Sequence, residues 1–509
     1  MTFNRVGPLV RSFPVRVFLA ALFLRMIPVL LTRSLGIGLD DMFQYDMLAR
    51  SLADGNGFRW YAESDLEMLK PYVDFDLSSV DYDPVRGVET SFRAPLYPAF
   101  LSLIYFLTGS GANRFFAARL AQSLLGAALA PLAYLAALRF LEPRRKEDRQ
   151  RESTSRNSET PSHPRGEDFP ARLAAWMVAA YPILLVYPLG LVTENLFFPL
   201  VLLSFLLILR SAEKPSVFRF LLAGFMLGLA ALTRSVILPF AALAVLWLWF
   251  AVKQKRGAVI VALALALTIA PWVVRNSLLH HKPSGIESSM GYNLYLGYHP
   301  EGDGSFFFGP SLDLLPILDD AERDRLGTQR ALAFIRAEPG RFLPLAANRL
   351  GFFFGLEKRA FMYFYSNDVF GPVPLPMLLL IFLFLAVPFV VVGASAALGT
   401  ALLRWNSQTV LLSFLFVSYL LPHVFILSED RFHLALVPFM AIPAALFWTN
   451  GFAGLVARGN ESRMSRAVVT LAAAAVVCLA LNWGLELSRD ADKLAQLFGP
   501  NGNRSYFPY

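Results

Sequence analysis

Apolar stretches of membrane-crossing length recur along almost the whole chain. Runs near 15–35, 115–140, 170–189, 194–210, 217–233, 235–252, 257–274, 374–395, 408–427, 433–450 and 467–486 approach the roughly 17–25 residues that a helix needs to traverse a hydrocarbon layer. They predict an all-α polytopic membrane protein of about eleven crossing helices, within a range of ten to thirteen. The run 95–109 opens on Pro95 and Pro98, ends at Gly109 and is too short to cross. It is expected as an interfacial helix in the first outer loop. No internal repeat is visible, which argues against a two-fold symmetric transporter.

Composition agrees with the pattern. Of 509 residues, 56% are hydrophobic and only 17% charged, against about 25% charged in soluble proteins. The single cysteine, Cys478, excludes an internal disulfide and a thiolate metal site. Arg5, Arg11 and Arg16 precede the first apolar run and Arg25 interrupts it, so that run reads as an uncleaved helix rather than a cleaved leader.

The formal charge of +8 matters through its placement. Lys and Arg collect in cytoplasmic loops. That assigns the cytoplasmic side to the linker 142–170, with Arg144, Arg145, Lys146, Arg149 and Arg151. It also assigns Lys253, Lys255, Arg256, Arg404, Arg458, Arg463 and Arg466 there. The acidic loop with Asp40, Asp41, Asp46, Asp54, Asp65, Asp74, Asp76, Asp81 and Asp83 belongs on the opposite side. Both assignments hold only if 95–109 turns back without crossing. The expected organisation is then a main membrane domain over 1–450 and a last span with an outer tail over 451–509. Within the first, outer loops cover about 37–114 and 275–373, and the polar linker is disordered.

This topology carries Asp40, Asp41, Glu194, Arg234, Arg275, Glu429, Asp430, Arg431 and His433 to one outer surface. Charges at span ends are commonly just hydrated. Glu194 differs, because "YPLGLVTENLFFPLVLL" surrounds it with apolar residues and a carboxylate there needs a partner. Asp41 and Tyr45 stand four residues apart and share a helical face.

Several segments resemble the C-type membrane glycosyltransferases of the protein O-mannosyltransferase and lipid A aminoarabinose transferase kind. "LDDMFQYDMLARSLADGNGF" is similar to their first-loop motif and "SFRAPLYPAFLSLIY" to the interfacial helix behind it. "LGLVTENLFFPL" resembles their second acidic motif. "APWVVRNSLLHHKPSGIESSMGYNLYLGYHPEGDGSF" resembles the entry to a large outer loop, and "SEDRFHLALVPF" a late motif. Met42 departs from the pattern, since an acidic residue often follows the first Asp.

The resemblance implies a C-type bundle in the cell's inner membrane. Its activity would be an inverting transfer of a sugar from a polyprenyl-phosphate donor to an acceptor hydroxyl on the extracytoplasmic face. Asp41 is then the candidate general base, with Asp40 and Glu194 beside it. Arg93, Arg234, Arg275 and Arg431 are candidates for the donor phosphate. Tyr45, Tyr97, Asn276, Asn293 and His433 are candidate substrate contacts. Trp60, Tyr61, Tyr292, Tyr295 and Tyr298 are candidate sugar-stacking rings or, equally, members of the aromatic belt at the membrane interface. A divalent cation, Mg²⁺ or Mn²⁺, held by Asp41 and Glu194 would relieve carboxylate repulsion, and so would an Arg partner. A lipid-linked-sugar flippase and a polyprenyl-diphosphate-dependent ligase or polymerase are the competing readings.

Overall fold

The computed structural model describes residues 12–140, 168–358 and 373–499. The linker 142–170 lies almost wholly outside them. Among the described residues, eight helices are long and apolar enough to cross a membrane: Phe13–Leu31, Arg114–Phe140, Glu194–Glu213, Lys255–Leu279, Leu375–Thr400, Ser407–Phe425, Val437–Glu461 and Arg463–Arg489. A ninth span is the bent pair Phe169–Ala179 and Pro182–Leu189. The shorter apolar helices Val217–Thr233 and Ser235–Ala251 occupy the two remaining expected positions. The one sheet among the described residues is a two-stranded hairpin, with Arg59 opposite Glu89 and Trp60 opposite Val88. The chain is therefore an all-α polytopic bundle.

Local chemistry sets the breaks. The bent span turns by 53° where Pro182 interrupts it. Proline carries no N–H, so the Val178 carbonyl loses its helical donor four residues on. Arg25, fully buried in the first span, reaches across to replace it. Its guanidinium donates to the Ala179 oxygen over 3.1 Å and to the Val178 oxygen over 3.4 Å. An intramembrane arginine that looks like a transport residue is thus the cap of a broken helix. Elsewhere Asn406 and Thr409 form a reciprocal cap at the start of Ser407–Phe425.

Helix Val217–Thr233 packs closely on Lys255–Leu279 through Gly224 and Gly228, spaced like the small-residue pairs of membrane helices. A side chain at Gly224 would meet the Val261 carbonyl, and one at Gly228 would meet Thr268. Gly224→Leu is therefore expected to destabilise the bundle by about 1–3 kcal/mol. Thermal unfolding in detergent reads this as a lowered midpoint, and an unchanged midpoint would contradict the packing.

The segments between the first two spans and after Lys255–Leu279 form a layer over one end of the bundle. Helix Asp41–Ala53 and helix Leu96–Thr108 lie against each other. Residues before, within and after the second helix all bond to the first. Arg93 pairs with Asp41. The Tyr105 hydroxyl donates to Asp46 over 3.0 Å, and Arg114 Nε donates to the same residue over 2.8 Å. A helix of 13 residues with both ends tied to one neighbour, only about 20 Å long, turns back rather than crosses. Asp46 is almost fully buried and is held by Arg50 and Arg114, which fixes the pair rigidly.

The second outer loop contributes Met290–Tyr298, Asp320–Ala337 and Phe342–Phe353. Asp320 fastens it to the first loop by accepting from the Thr90 hydroxyl and the Ser91 N–H, each over 2.6 Å. Beneath that join lies an apolar cluster of Phe43, Met47, Trp60, Tyr61, Phe92 and Leu318.

Candidate functional site

Asp40 caps the N-terminus of Asp41–Ala53 by accepting the Met42 N–H over 2.8 Å. This places Asp41 in the first turn, facing the gap between the outer layer and the bundle. Arg93, just before the returning helix, pairs with Asp41 and also donates to Gln44 Oε1 over 2.9 and 2.6 Å. Gln44 lies one helical turn beyond Asp41, so one face of the helix holds the guanidinium at two points.

Three bundle elements complete the cleft. Glu194 begins its span, where the helix N-terminus favours negative charge. It receives Arg234 Nη1 at 2.6 Å and the Thr193 hydroxyl at 3.1 Å. Arg234 ends the adjacent helix. Arg431 sits in the turn between the spans Ser407–Phe425 and Val437–Glu461. It holds Glu429 over 2.6 Å and faces the second Asp41 oxygen at 3.6 Å. Asp41, Arg234 and Arg431 lie near enough for their charges to act on Glu194. Residues separated by nearly 400 positions in the chain thus meet at one end of the bundle.

Asp41 is partly exposed, as are the Arg93, Arg234 and Arg431 guanidinium groups that open onto the cleft. Arg93 and Arg431 hold the Asp41 carboxyl below its usual range against the opposing effect of burial. Burial and then the Asp41 charge push Asp40 the other way, up to about 6. Two adjacent carboxyls therefore have separated proton affinities, an arrangement suited to acid–base work.

The expected residues divide by placement. Asp40, Asp41, Arg93, Glu194, Arg234 and Arg431 converge. Tyr45 joins them, with the Arg93 guanidinium 5.2 Å from its ring centre. Tyr97 stands edge-on behind Tyr45 at 5.1 Å and bonds to Gln122. Arg275 is not part of the cluster, because it donates to the Thr90 carbonyl over 2.5 Å and covers Trp272. Asn276 is likewise committed to backbone, donating to the Gly285 and Ile286 oxygens. Asn293 lies on Met290–Tyr298, away from the ion pairs. His433 points back into the bundle toward Glu357.

Trp60 and Tyr61 are packed in the apolar cluster rather than offered to a sugar. The hydroxyls of Tyr292, Tyr295 and Tyr298 bond to Ser311, Asp313 and Phe425 of the protein itself. Sequence reasoning missed Gln44, although its helical spacing from Asp41 marks it. It also missed Thr193 and Glu287. Glu287 accepts from the Ser235 N–H over 3.3 Å and acts electrostatically on Arg93. A long aperiodic loop gives no signal for such a residue.

The donor set does not fit a metal cation. Asp41 is shared by two guanidinium groups, and Glu194 is occupied by Arg234 and Thr193. Among the described residues, no group of three or more His, Cys, Asp and Glu is disposed to hold a metal ion. Guanidinium donors are the better match to a phosphate.

Fold and site together define a multi-pass α-helical membrane protein with a partly exposed cluster of arginine–carboxylate pairs at one end of its bundle. No family model matches the chain. No curated protein matches it either. Among solved structures, it is similar to a crystal structure of ArnT from Cupriavidus metallidurans bound to undecaprenyl phosphate. The two align over 88% of this chain and 80% of that one, at 13% identity and a TM-score of 0.36. A superposition that loose carries no argument about shared chemistry.

Proposed function

We propose that this chain is a membrane glycosyltransferase that moves a sugar from a polyprenyl-phosphate carrier to an acceptor hydroxyl. The transfer takes place at the extracytoplasmic face of the inner membrane. The observation that carries this reading is the convergence of Arg93, Arg234 and Arg431 on Asp41 and Glu194 beside a rigid pair of interfacial helices. Phosphate recognition needs fixed donors, and a polyprenyl tail needs an apolar lateral approach. The guanidinium cluster would supply the donors, and the exposed apolar residues Leu103, Phe106 and Leu107 of Leu96–Thr108 would supply the approach. The ordered resemblance of the sequence to C-type glycosyltransferases supports the same activity.

In this reading the acceptor oxygen attacks the anomeric carbon as the bond to the phosphate oxygen breaks, inverting the centre. The acceptor proton passes to the carboxyl pair Asp40–Asp41. The phosphodiester leaves as a phosphomonoester, so negative charge grows where the guanidinium groups stand. Arg234 uses Nη1 toward Thr193 and Glu194, its guanidinium lies over the Phe432 ring, and it keeps partial exposure. Arg25 is bonded to the carbonyls of a broken helix, which gives this mid-membrane charge a structural role in place of the coupling role a flippase would ask of it.

Asp41→Asn is expected to lower transfer by about 10²–10⁴-fold. Release of polyprenyl phosphate from a polyprenyl-phospho-sugar donor measures it, and turnover equal to wild type would reject the assignment. Because the cleft is built of ion pairs, excess chelator is expected to leave the wild-type rate within about twofold. A loss restored by Mg²⁺ or Mn²⁺ would show a cation at work.

A further inference from the structure

The turn 428–433 faces two ways. Glu429 and Arg431 turn to the cleft, while His433 enters the bundle and is fully buried. Its ring stacks on Phe389 with centroids 3.7 Å apart. Nδ1 lies 2.8 Å from the Phe353 carbonyl oxygen, and Nε2 lies 3.0 Å from Glu357 Oε1. Tyr181, at the break of the bent span, donates its hydroxyl to the same Glu357 oxygen over 2.6 Å. Four distant elements therefore meet around one imidazole.

The hydrogen bonds dictate a proton count. A carbonyl oxygen only accepts, so Nδ1 carries a hydrogen. A neutral ring then has a bare Nε2, and a carboxylate oxygen is also only an acceptor. Two acceptors 3.0 Å apart in a buried site repel. The contact holds only with one more proton between them. It is either an imidazolium on a carboxylate or a neutral imidazole facing a carboxylic acid. Both forms make the pair neutral overall, which a dry interior requires. Burial raises the Glu357 carboxyl above its ordinary range, which favours the acid form. The other charge acting on Glu357 is Asp430 of the same turn, which also acts on Glu486. Glu486 in turn is paired with Lys358, which Asp490 also holds.

We propose that Glu357 is a positioning residue: the proton it shares with His433 locks the 428–433 turn and so sets Arg431 against Asp41 and the donor phosphate. The inference rests on reading the cleft as a phosphate site. The turn has little structure of its own, being a single 3₁₀ stretch, Asp430–Ala435. His433 anchors it two residues from Arg431. Release of the proton would replace an attraction with acceptor–acceptor repulsion and free the guanidinium to move.

Binding of undecaprenyl phosphate to the full chain in nanodiscs tests this, with wild type, Glu357→Gln, Glu357→Ala, His433→Ala and Arg431→Ala in parallel. A glutamine amide gives one hydrogen to bare Nε2 and one to the Tyr181 hydroxyl. It keeps the contact without an ionisable proton. Glu357→Ala and His433→Ala are expected to weaken binding about tenfold or more, with Glu357→Gln within about threefold of wild type. Wild-type affinity falls relative to Glu357→Gln as pH rises and the shared proton leaves, because the glutamine has no such proton to lose. Should the alanine variant fail to fold, the pH comparison of wild type with Glu357→Gln decides alone. Parallel pH profiles for those two, or an alanine variant that binds like wild type, would overturn the role of Glu357. Wild type that binds no polyprenyl phosphate at all would instead overturn the reading of the cleft, and this inference with it.

Discussion

Replacing Arg431 by alanine is expected to reduce sugar transfer by about 10²–10³-fold, the loss typical of removing one fixed donor at a site of developing charge. Arg431 reaches the cleft between Glu429 and Asp41. Its removal leaves Glu429, which is 3% exposed, without that partner. It also leaves Asp41 with Arg93 as its ion-pair partner and the more distant charge of Arg234. Donor binding and the chemical step should both suffer, since the phosphate gains charge as the sugar leaves. Lysine should recover only part of the rate, because a point charge cannot reproduce the fork that spans two acceptors. Initial rates at saturating and limiting donor separate the two effects. Unchanged rates in Arg431→Ala would remove this residue from the site.

Glu194→Ala should have the largest effect on stability. The Glu194 carboxylate is 4% exposed and holds Arg234 at 2.6 Å at the mouth of the bundle. Breaking a buried pair from one side costs about 3–5 kcal/mol, because the partner is left charged in a poor solvent. Arg234 retains some exposure, which places the loss toward the lower end of that range. Glu194→Ala combined with Arg234→Met removes both charges and should recover much of the thermal midpoint, while transfer stays absent. Equal midpoints for the single and double variants would show that the pair is not the source of the loss.

The bundle was legible because lipid imposes a length rule. Each of the eleven apolar runs corresponds to a helix or a bent helix pair of the structure. The reading that Leu96–Thr108 does not cross follows from its length and from the charge balance of the flanking loops, and the contacts of Arg93, Tyr105 and Arg114 agree. Of the cluster, Asp41, Glu194, Arg234 and Arg431 were recognisable as charges next to apolar runs on one predicted side. Arg275 and His433 share that signature, and Asn276 adjoins it, yet all three bond within the protein, since sequence cannot tell a polar group facing the cluster from one bonded to a nearby carbonyl or carboxyl. Glu287 and Glu357 were invisible for the opposite reason. They sit in long outer segments without periodicity, and only the folded chain brings them to Arg93 and His433. Arg25 needed Pro182, more than 150 residues away, before its role made sense.

The central claim is that the cleft breaks the bond between a sugar and a polyprenyl monophosphate. Purified chain in liposomes should be given a polyprenyl-phospho-sugar and membranes as acceptor, with the lipid phosphorus followed by NMR. The account predicts that phosphodiester converts to phosphomonoester with wild type and not with Asp41→Asn, while a diphosphate-linked sugar stays intact. Donor that crosses the bilayer with its phosphodiester unbroken would contradict it.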